Sequence, residues 1–189
     1  YSFRIRRTSE WGPVMENLTA FFHKTPSDKP GLKYQVTGEY FRRNDAIEFA
    51  VKHDDGLGME TIGQADIILL GVSRTSKTPL SIYLAYRGFK TANVPIVPDL
   101  PPSQALWSVE SRKFVGLTIR AEKLAELRAT RLTKLGRPSS DNYANIDSIR
   151  RELTASERLF QKLGKCPVID VTSKAIEEIA SEIQTALGL

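Results

Sequence analysis

The sequence predicts an α/β protein, a mainly parallel sheet flanked by helices with a P-loop-like kinase core, and three observations carry that prediction. The run Ala65-Asp66-Ile67-Ile68-Leu69-Leu70 is apolar at five of six positions and ends at Gly71, as a buried strand entering a turn does. Small and polar residues follow and close in Lys77-Thr78; a short helical pattern then runs to Gly88, and a second extended run occupies 92–98. These segments make one strand–loop–helix–strand unit. Finally, the predicted elements run helix, helix, strand, helix, strand, strand, helix, helix, strand, helix, the order of a parallel sheet covered on both faces.

In chain order, Val14, Leu18, Phe21 and Phe22 fall at helical spacing and predict a short amphipathic helix over 14–22. Pro26, Pro30 and Gly31 then mark a loop over 24–33. A second helix is predicted over 40–51, with Phe41, Ile47, Phe49, Ala50 and Val51 on or near its buried side. It stops in His53-Asp54-Asp55-Gly56. After the central unit, Asp99, Pro101 and Pro102 predict a stiff connection, with Leu106 and Trp107 packed beneath it. A strand follows over 113–119, a helix over 121–135 stopped by Gly136 and Pro138, and a polar loop over 139–143. The longest helix, 146–163, carries Ile146, Ile149, Leu153, Phe160 and Leu163 on one stripe. A last strand at 167–171 leads to a final helix that Ser173 is placed to cap.

The chemistry concentrates between Gly71 and Thr78. Gly71, Val72, Ser73, Arg74, Thr75, Ser76, Lys77 and Thr78 read G-x-x-x-x-S-K-T against the phosphate-loop pattern G-x-x-x-x-G-K-[ST], with Ser76 where a glycine is usual. A polyphosphate requires convergent backbone N–H donors, a helix N-terminus and a cation that reaches the outer phosphates. Lys77 supplies that cation, Arg74 adds a second positive group, and Thr78 is suited to ligate Mg²⁺. Pro79 disfavours a helical Thr78, so the helix is predicted to begin at Pro79. An ordinary strand-to-helix turn is the alternative.

Two further sites are candidates. Phosphoryl transfer to a hydroxyl requires one carboxylate to take or orient the proton and another to hold magnesium or its waters, and Asp54 and Asp55 beside Gly56 suit both uses. A solvated turn at a helix end is the competing reading, and His53 fits an orienting role. In the 121–135 helix, with Leu124 set to zero, Arg128 lies at about 40° and Arg131 at about 340°, inside the apolar stripe. Such arginines form either a lid over donor phosphates, flanked by Arg120 and Arg137, or an ion pair at the rim.

Composition narrows the function classes. Apolar content of 41% and charged content of 26% in 189 residues are ordinary for a globular protein, and no apolar run reaches membrane-spanning length. The formal charge of +5 suits a protein that handles phosphates. No RNA-binding aromatic signature or helix-turn-helix pattern accompanies it, so nucleic acid is not expected as a partner. Cys166 is the single cysteine, which fits a reducing compartment, and two histidines with one cysteine do not make a structural zinc site.

The runs Gly-Val-Ser-Arg-Thr-Ser-Lys-Thr-Pro-Leu-Ser at 71–81, Ala-Asn-Val-Pro-Ile-Val-Pro at 92–98, Ala-Ile-Glu-Phe-Ala-Val-Lys-His-Asp-Asp-Gly at 46–56 and Val-Ile-Asp-Val-Thr at 168–172 are long and specific. With them the chain resembles the pyruvate, phosphate dikinase regulatory proteins from about Trp11 onward. The resemblance implies a bifunctional cytoplasmic protein. One activity is an ADP-dependent Ser/Thr kinase that inactivates the dikinase at an active-site threonine; the other removes that phosphate with inorganic phosphate and releases pyrophosphate. A sister group acts on phosphoenolpyruvate synthase with an Arg-Cys-Gly-Lys-Thr-Pro loop, and Arg74-Thr75-Ser76-Lys77-Thr78-Pro79 is more similar to the dikinase group. The resemblance also implies a homodimer, and the loop's chemistry predicts Mg²⁺ beside the ADP, held partly by Thr78. A single kinase-like α/β domain over 1–189 is expected, lacking the family's N-terminal segment. Outside that family, a small-molecule kinase and a non-catalytic nucleotide-binding protein fit the loop.

Overall fold

A computed structural model of the chain describes residues 12–25, 38–97, 100–136 and 142–189. The chain divides into Tyr1–Val36 and Thr37–Leu189. In the first unit the described helix is α1, Gly12–Phe22, where the apolar spacing predicts it. Most of the predicted 24–33 loop, Asp99, Arg137 and the 139–141 part of the polar loop lie outside the described residues.

The second unit carries the sheet. Its elements are α2 (Gly38–Lys52), β1 (Ile67–Gly71), α3 (Lys77–Tyr86), β2 (Thr91–Pro95), β3 (Phe114–Thr118), α4 (Ala121–Lys134), α5 (Ile146–Lys162), β4 (Val168–Asp170) and α6 (Ile176–Leu187). The four strands are all parallel, in the order β2-β1-β3-β4. The chain steps from β1 to β2 on one side and then returns past β1 to β3 on the other. β1 is therefore the point where the connections diverge, which opens a crevice at its C-terminal end.

Alternation along β1 explains why both faces are buried. Ile67 and Leu69 pack with Leu80, Leu84, Val115, Leu117 and Ile183, whereas Ile68 and Leu70 pack with Phe49, Ile62, Val94, Leu106 and Phe114. Burying each such side chain contributes about 2 kcal/mol. Close approach is paid for by small residues: a Cβ on Gly116 of β3 would come within 2.8 Å of the Phe160 ring on α5. A Gly116→Val change would push α5 off the sheet.

Several local expectations need correction. Helix α3 begins at Lys77 rather than Pro79. The first N–H groups of a helix have no intrahelical acceptor, so a proline in the first turn forfeits nothing, and that outweighs the steric preference on Thr78. Phe49 and Ala50 are buried, but Phe41 and Val51 on α2 are exposed, since α2 presents a narrower face to the sheet than the run of apolar residues suggests. Trp107 is likewise half exposed while its neighbour Leu106 is buried. Ser173 does not cap α6, whose N-cap position is Ala175. Asp66, just ahead of β1, accepts a hydrogen bond from the Lys90 N–H at 2.8 Å, tying the start of that strand to the approach to β2.

Candidate active site

The loop between β1 and α3 wraps the crevice at the sheet's C-terminal edge. Gly71 is needed for approach rather than for a turn: a Cβ there would lie 2.9 Å from the Leu117 carbonyl oxygen and 2.9 Å from Thr75 Oγ1. Val72 and Thr75 are buried, and Ser73, Arg74, Ser76 and Thr78 are exposed to the crevice side. Arg74 and Ser76 have left-handed backbones, φ 74° and 60°. Ser76 thus occupies the conformation for which the usual motif keeps a glycine.

Lys77 is only 6% exposed, and its Nζ donates to the Val72 carbonyl at 2.9 Å. Thr75 Oγ1 donates to the same carbonyl at 2.9 Å. Burial pushes the Lys77 ammonium down from 10.5 to about 8, against the upward pull of Asp55 and Asp54, with the nearby Arg128 charge adding to the depression. A poorly solvated lysine gains strongly from an incoming anion.

The carboxylates face this loop. Asp54 accepts a hydrogen bond from Thr78 Oγ1 at 3.0 Å and another from Asn93 Nδ2. Asn93 Nδ2 also donates to Thr78 Oγ1 at 3.0 Å. Asp55 is exposed, with a left-handed φ of 53°, and lines a cavity of about 310 Å³ with Ser73, Arg74, Lys77, Thr78 and Asn93. His53 is buried and stacks on Phe49 at 3.7 Å; its Nδ1 donates to the Phe49 carbonyl and its Nε2 meets Thr61 Oγ1, each at 2.8 Å. Those contacts make it a brace for the turn. Asp54 thus sits in a partly exposed turn that the fold carries back onto the loop.

Arg128 is placed differently from a lid arginine. It is 1% exposed and forms a two-pronged pair with Glu152 of α5, at 2.9 and 2.7 Å. Its other bonds go to the carbonyls of Tyr143 and of Ser73 in the loop, and its guanidinium lies over the Tyr143 ring at 4.5 Å. The lid expectation is thus corrected for Arg128, because a paired guanidinium at this depth cannot swing over a ligand without exposing Glu152. Arg131 is exposed on α4. Cys166 sits half-buried beside β4, and burial pushes its thiol up to about 11, which leaves it unreactive.

Three participants carry no readable local signal. Asn93 lies inside a strand, Glu152 on an exposed-looking helix, and Tyr143 in a polar loop, yet Tyr143 OH meets Ser73 Oγ at 3.0 Å. Only an amide in an otherwise apolar strand, Ala-Asn-Val, hints at the first.

A sequence model described as kinase/pyrophosphorylase matches residues 2–184. The chain belongs to the kinase/pyrophosphorylase family. A relative from Halalkalibacterium halodurans, provisionally named a pyruvate, phosphate dikinase regulatory protein, is 48% identical over 174 residues, 92% of this chain and 64% of the relative. A protein of the same name from Geobacter sulfurreducens is 46% identical over 90% of this chain and 64% of its own length, and one from Staphylococcus aureus is 44% identical over 96% and 66%. The chain thus spans 64% of the length of the first of these relatives. Kinase and pyrophosphorylase chemistry share one need, a seat for phosphate.

Proposed function

We propose that the full-length protein regulates pyruvate, phosphate dikinase as a bifunctional enzyme: an ADP-dependent Ser/Thr protein kinase and a phosphate-dependent, pyrophosphate-forming phosphorylase. The observation that carries this reading is Lys77, buried behind a phosphate-type loop and opposed by two aspartates. Family membership and the relatives' names support the acceptor.

In the kinase direction the ADP phosphates lie along 71–78, with Lys77 and Arg74 neutralising the charge that develops as the β-phosphoryl group moves. Its bond to the bridging oxygen breaks, AMP leaves, and a bond to the threonine oxygen forms. Asp55, exposed in the cavity wall and free of the Thr78 contact, takes the hydroxyl proton. In the phosphorylase direction, inorganic phosphate occupies the loop and attacks the phosphothreonine phosphorus. The bond to threonine breaks, its oxygen regains the proton, and pyrophosphate leaves.

Mg²⁺ favours oxygen donors and keeps phosphate oxygens and waters in its shell. Thr78 and Asp54 fit that donor set, and no cluster of three or more His, Cys, Asp or Glu among the described residues suits a metal held by protein alone. When bound beside them it would offset the charge on the phosphates. Of the two arginines on α4, Arg131 remains for a lid contact.

The test uses ADP labelled in the β-phosphate, the full-length protein and the dikinase, with Lys77→Ala as control. Label on a dikinase threonine, absent in the control, is the expected result. Transfer to phosphoenolpyruvate synthase instead would reassign the acceptor. Transfer to a metabolite alone, or binding without turnover, would overturn the protein-kinase reading.

A further inference from the structure

Asn93 is a polar residue in a buried parallel strand. It pairs with Leu69 of β1 and is 1% exposed. Its backbone already has partners: its N–H donates to the His53 carbonyl, and its own carbonyl accepts from the Gly56 N–H, both at 2.9 Å. The turn carrying Asp54 and Asp55 is therefore pinned on either side of this one residue. The side chain does something else.

Both hydrogens of the amide are committed, one to the Asp54 carboxylate and one to Thr78 Oγ1. The amide oxygen, in contrast, is buried with no hydrogen-bond partner among the described residues. An orphaned buried acceptor lowers stability, and an apolar side chain of similar size would fill the same space without it. The asymmetry points to a use for the donor end. A threonine hydroxyl has one hydrogen and two lone pairs. At Thr78 the hydrogen goes to Asp54 and one lone pair receives the Asn93 hydrogen, so a single lone pair is left, in a direction the network sets.

We propose that Asn93 is the positioning residue of the divalent-cation site, holding Thr78 and Asp54 so that the remaining Thr78 lone pair and an Asp54 oxygen face a hydrated Mg²⁺ brought in with the nucleotide phosphates. This rests on the phosphoryl-transfer reading above. Asn93 acts through the other two side chains and need not touch the substrate. The chemistry requires a hydroxyl whose proton points away from the cation, and the Asn93–Asp54 pair enforces that orientation.

The experiment measures Mn²⁺ binding to the full-length protein by electron paramagnetic resonance, with and without ADP, together with metal-free ADP affinity and thermal midpoint. Asn93→Leu is expected to weaken Mn²⁺ binding in the presence of ADP at least tenfold. Metal-free ADP affinity should fall far less than Mn²⁺ affinity, and the thermal midpoint should change little, because removal of the orphaned oxygen offsets the lost bonds to Asp54 and Thr78. Asn93→Asp should weaken Mn²⁺ binding too, but with a lower midpoint, since an acceptor then faces the Asp54 carboxylate. Should the leucine variant misfold, Asn93→Ser replaces it under the same criteria. Mn²⁺ affinity within twofold of wild type, or a loss matched by an equal loss of metal-free ADP binding, would mean that Asn93 is only a packing residue. ADP binding that survives Lys77→Ala in an otherwise wild-type protein would sink the phosphate-site reading instead, and the Asn93 role with it.

Discussion

The two walls of the crevice at the C-terminal edge of the sheet, the proposed active site, are built in opposite ways. The phosphate wall is local: Gly71 to Thr78 is one unbroken stretch, and Lys77 is held by a carbonyl five residues earlier. The carboxylate wall is assembled from afar, with Asp54 bonded to residues 24 and 39 positions away. A contiguous loop can be read as a motif because backbone geometry alone brings its groups together. The opposing wall exists only once α2, β1 and β2 have packed. The difference is also one of strain, since the phosphate wall buries a lysine and the carboxylate wall leaves Asp55 in solvent.

The largest effect should come from removing the buried cation. Lys77→Met should lower both proposed activities about 1,000-fold, the kinase direction read from transfer of labelled β-phosphate. The same change should stabilise the protein. The folded-state value of Lys77, about 8, lies below its usual 10.5, so the unfolded chain binds more protons between those values. Stability should therefore rise with pH from about 8 to 10.5 in the wild type. Relieving the buried charge below pH 8 should raise unfolding free energy by about 1–3 kcal/mol, after allowing for the lost bond to Val72. A variant that is inactive yet no more stable at pH 7 would break this contrast.

On the carboxylate wall, Asp55→Asn should reduce turnover about 100-fold with little change in the Mg²⁺ requirement. Asp54→Asn should chiefly raise the Mg²⁺ concentration needed for half-maximal rate. Identical behaviour of the two variants in a magnesium titration would erase the division of labour between them.

The brace behind the phosphate wall comes next. Arg128→Met strands the Glu152 carboxylate and should destabilise the protein by about 3 kcal/mol in urea unfolding, whereas pairing it with Glu152→Leu should recover most of that loss. Because Arg128 also helps depress Lys77, the pH above which ADP binding weakens should move upward from about 8. Titrations of ADP affinity from pH 7 to 10 would show it. Smallest of all, Ser76→Gly relieves a left-handed serine and should stabilise by up to about 1 kcal/mol, with activity within a few-fold. A large loss of activity there would show that the serine hydroxyl, and not its backbone, serves the site.

Much of the fold was legible because hydrophobic period and breaker residues act locally. The strand at Ile67–Gly71, the helices after it and their order all follow from Ile, Leu, Gly and Pro placement. What failed locally was orientation: Phe41, Val51 and Trp107 are apolar yet exposed, since only packing decides which side of an element meets the sheet. The arginines on α4 show the same division. Their position inside the apolar stripe was readable, but whether Arg128 faced a ligand or Glu152 depended on where α5 came to rest.

By itself, then, the sequence determined the strand–loop–helix unit around 71–78, the parallel α/β order and the family, because each is written in contiguous residues whose local geometry carries the information. Tertiary structure alone decided that Asp54 meets Thr78, that Asn93 binds both, and that Arg128 is a brace. Those contacts join segments 15 to 55 residues apart. Their partners are chosen by how helices pack on a sheet, a property no short stretch of chain contains.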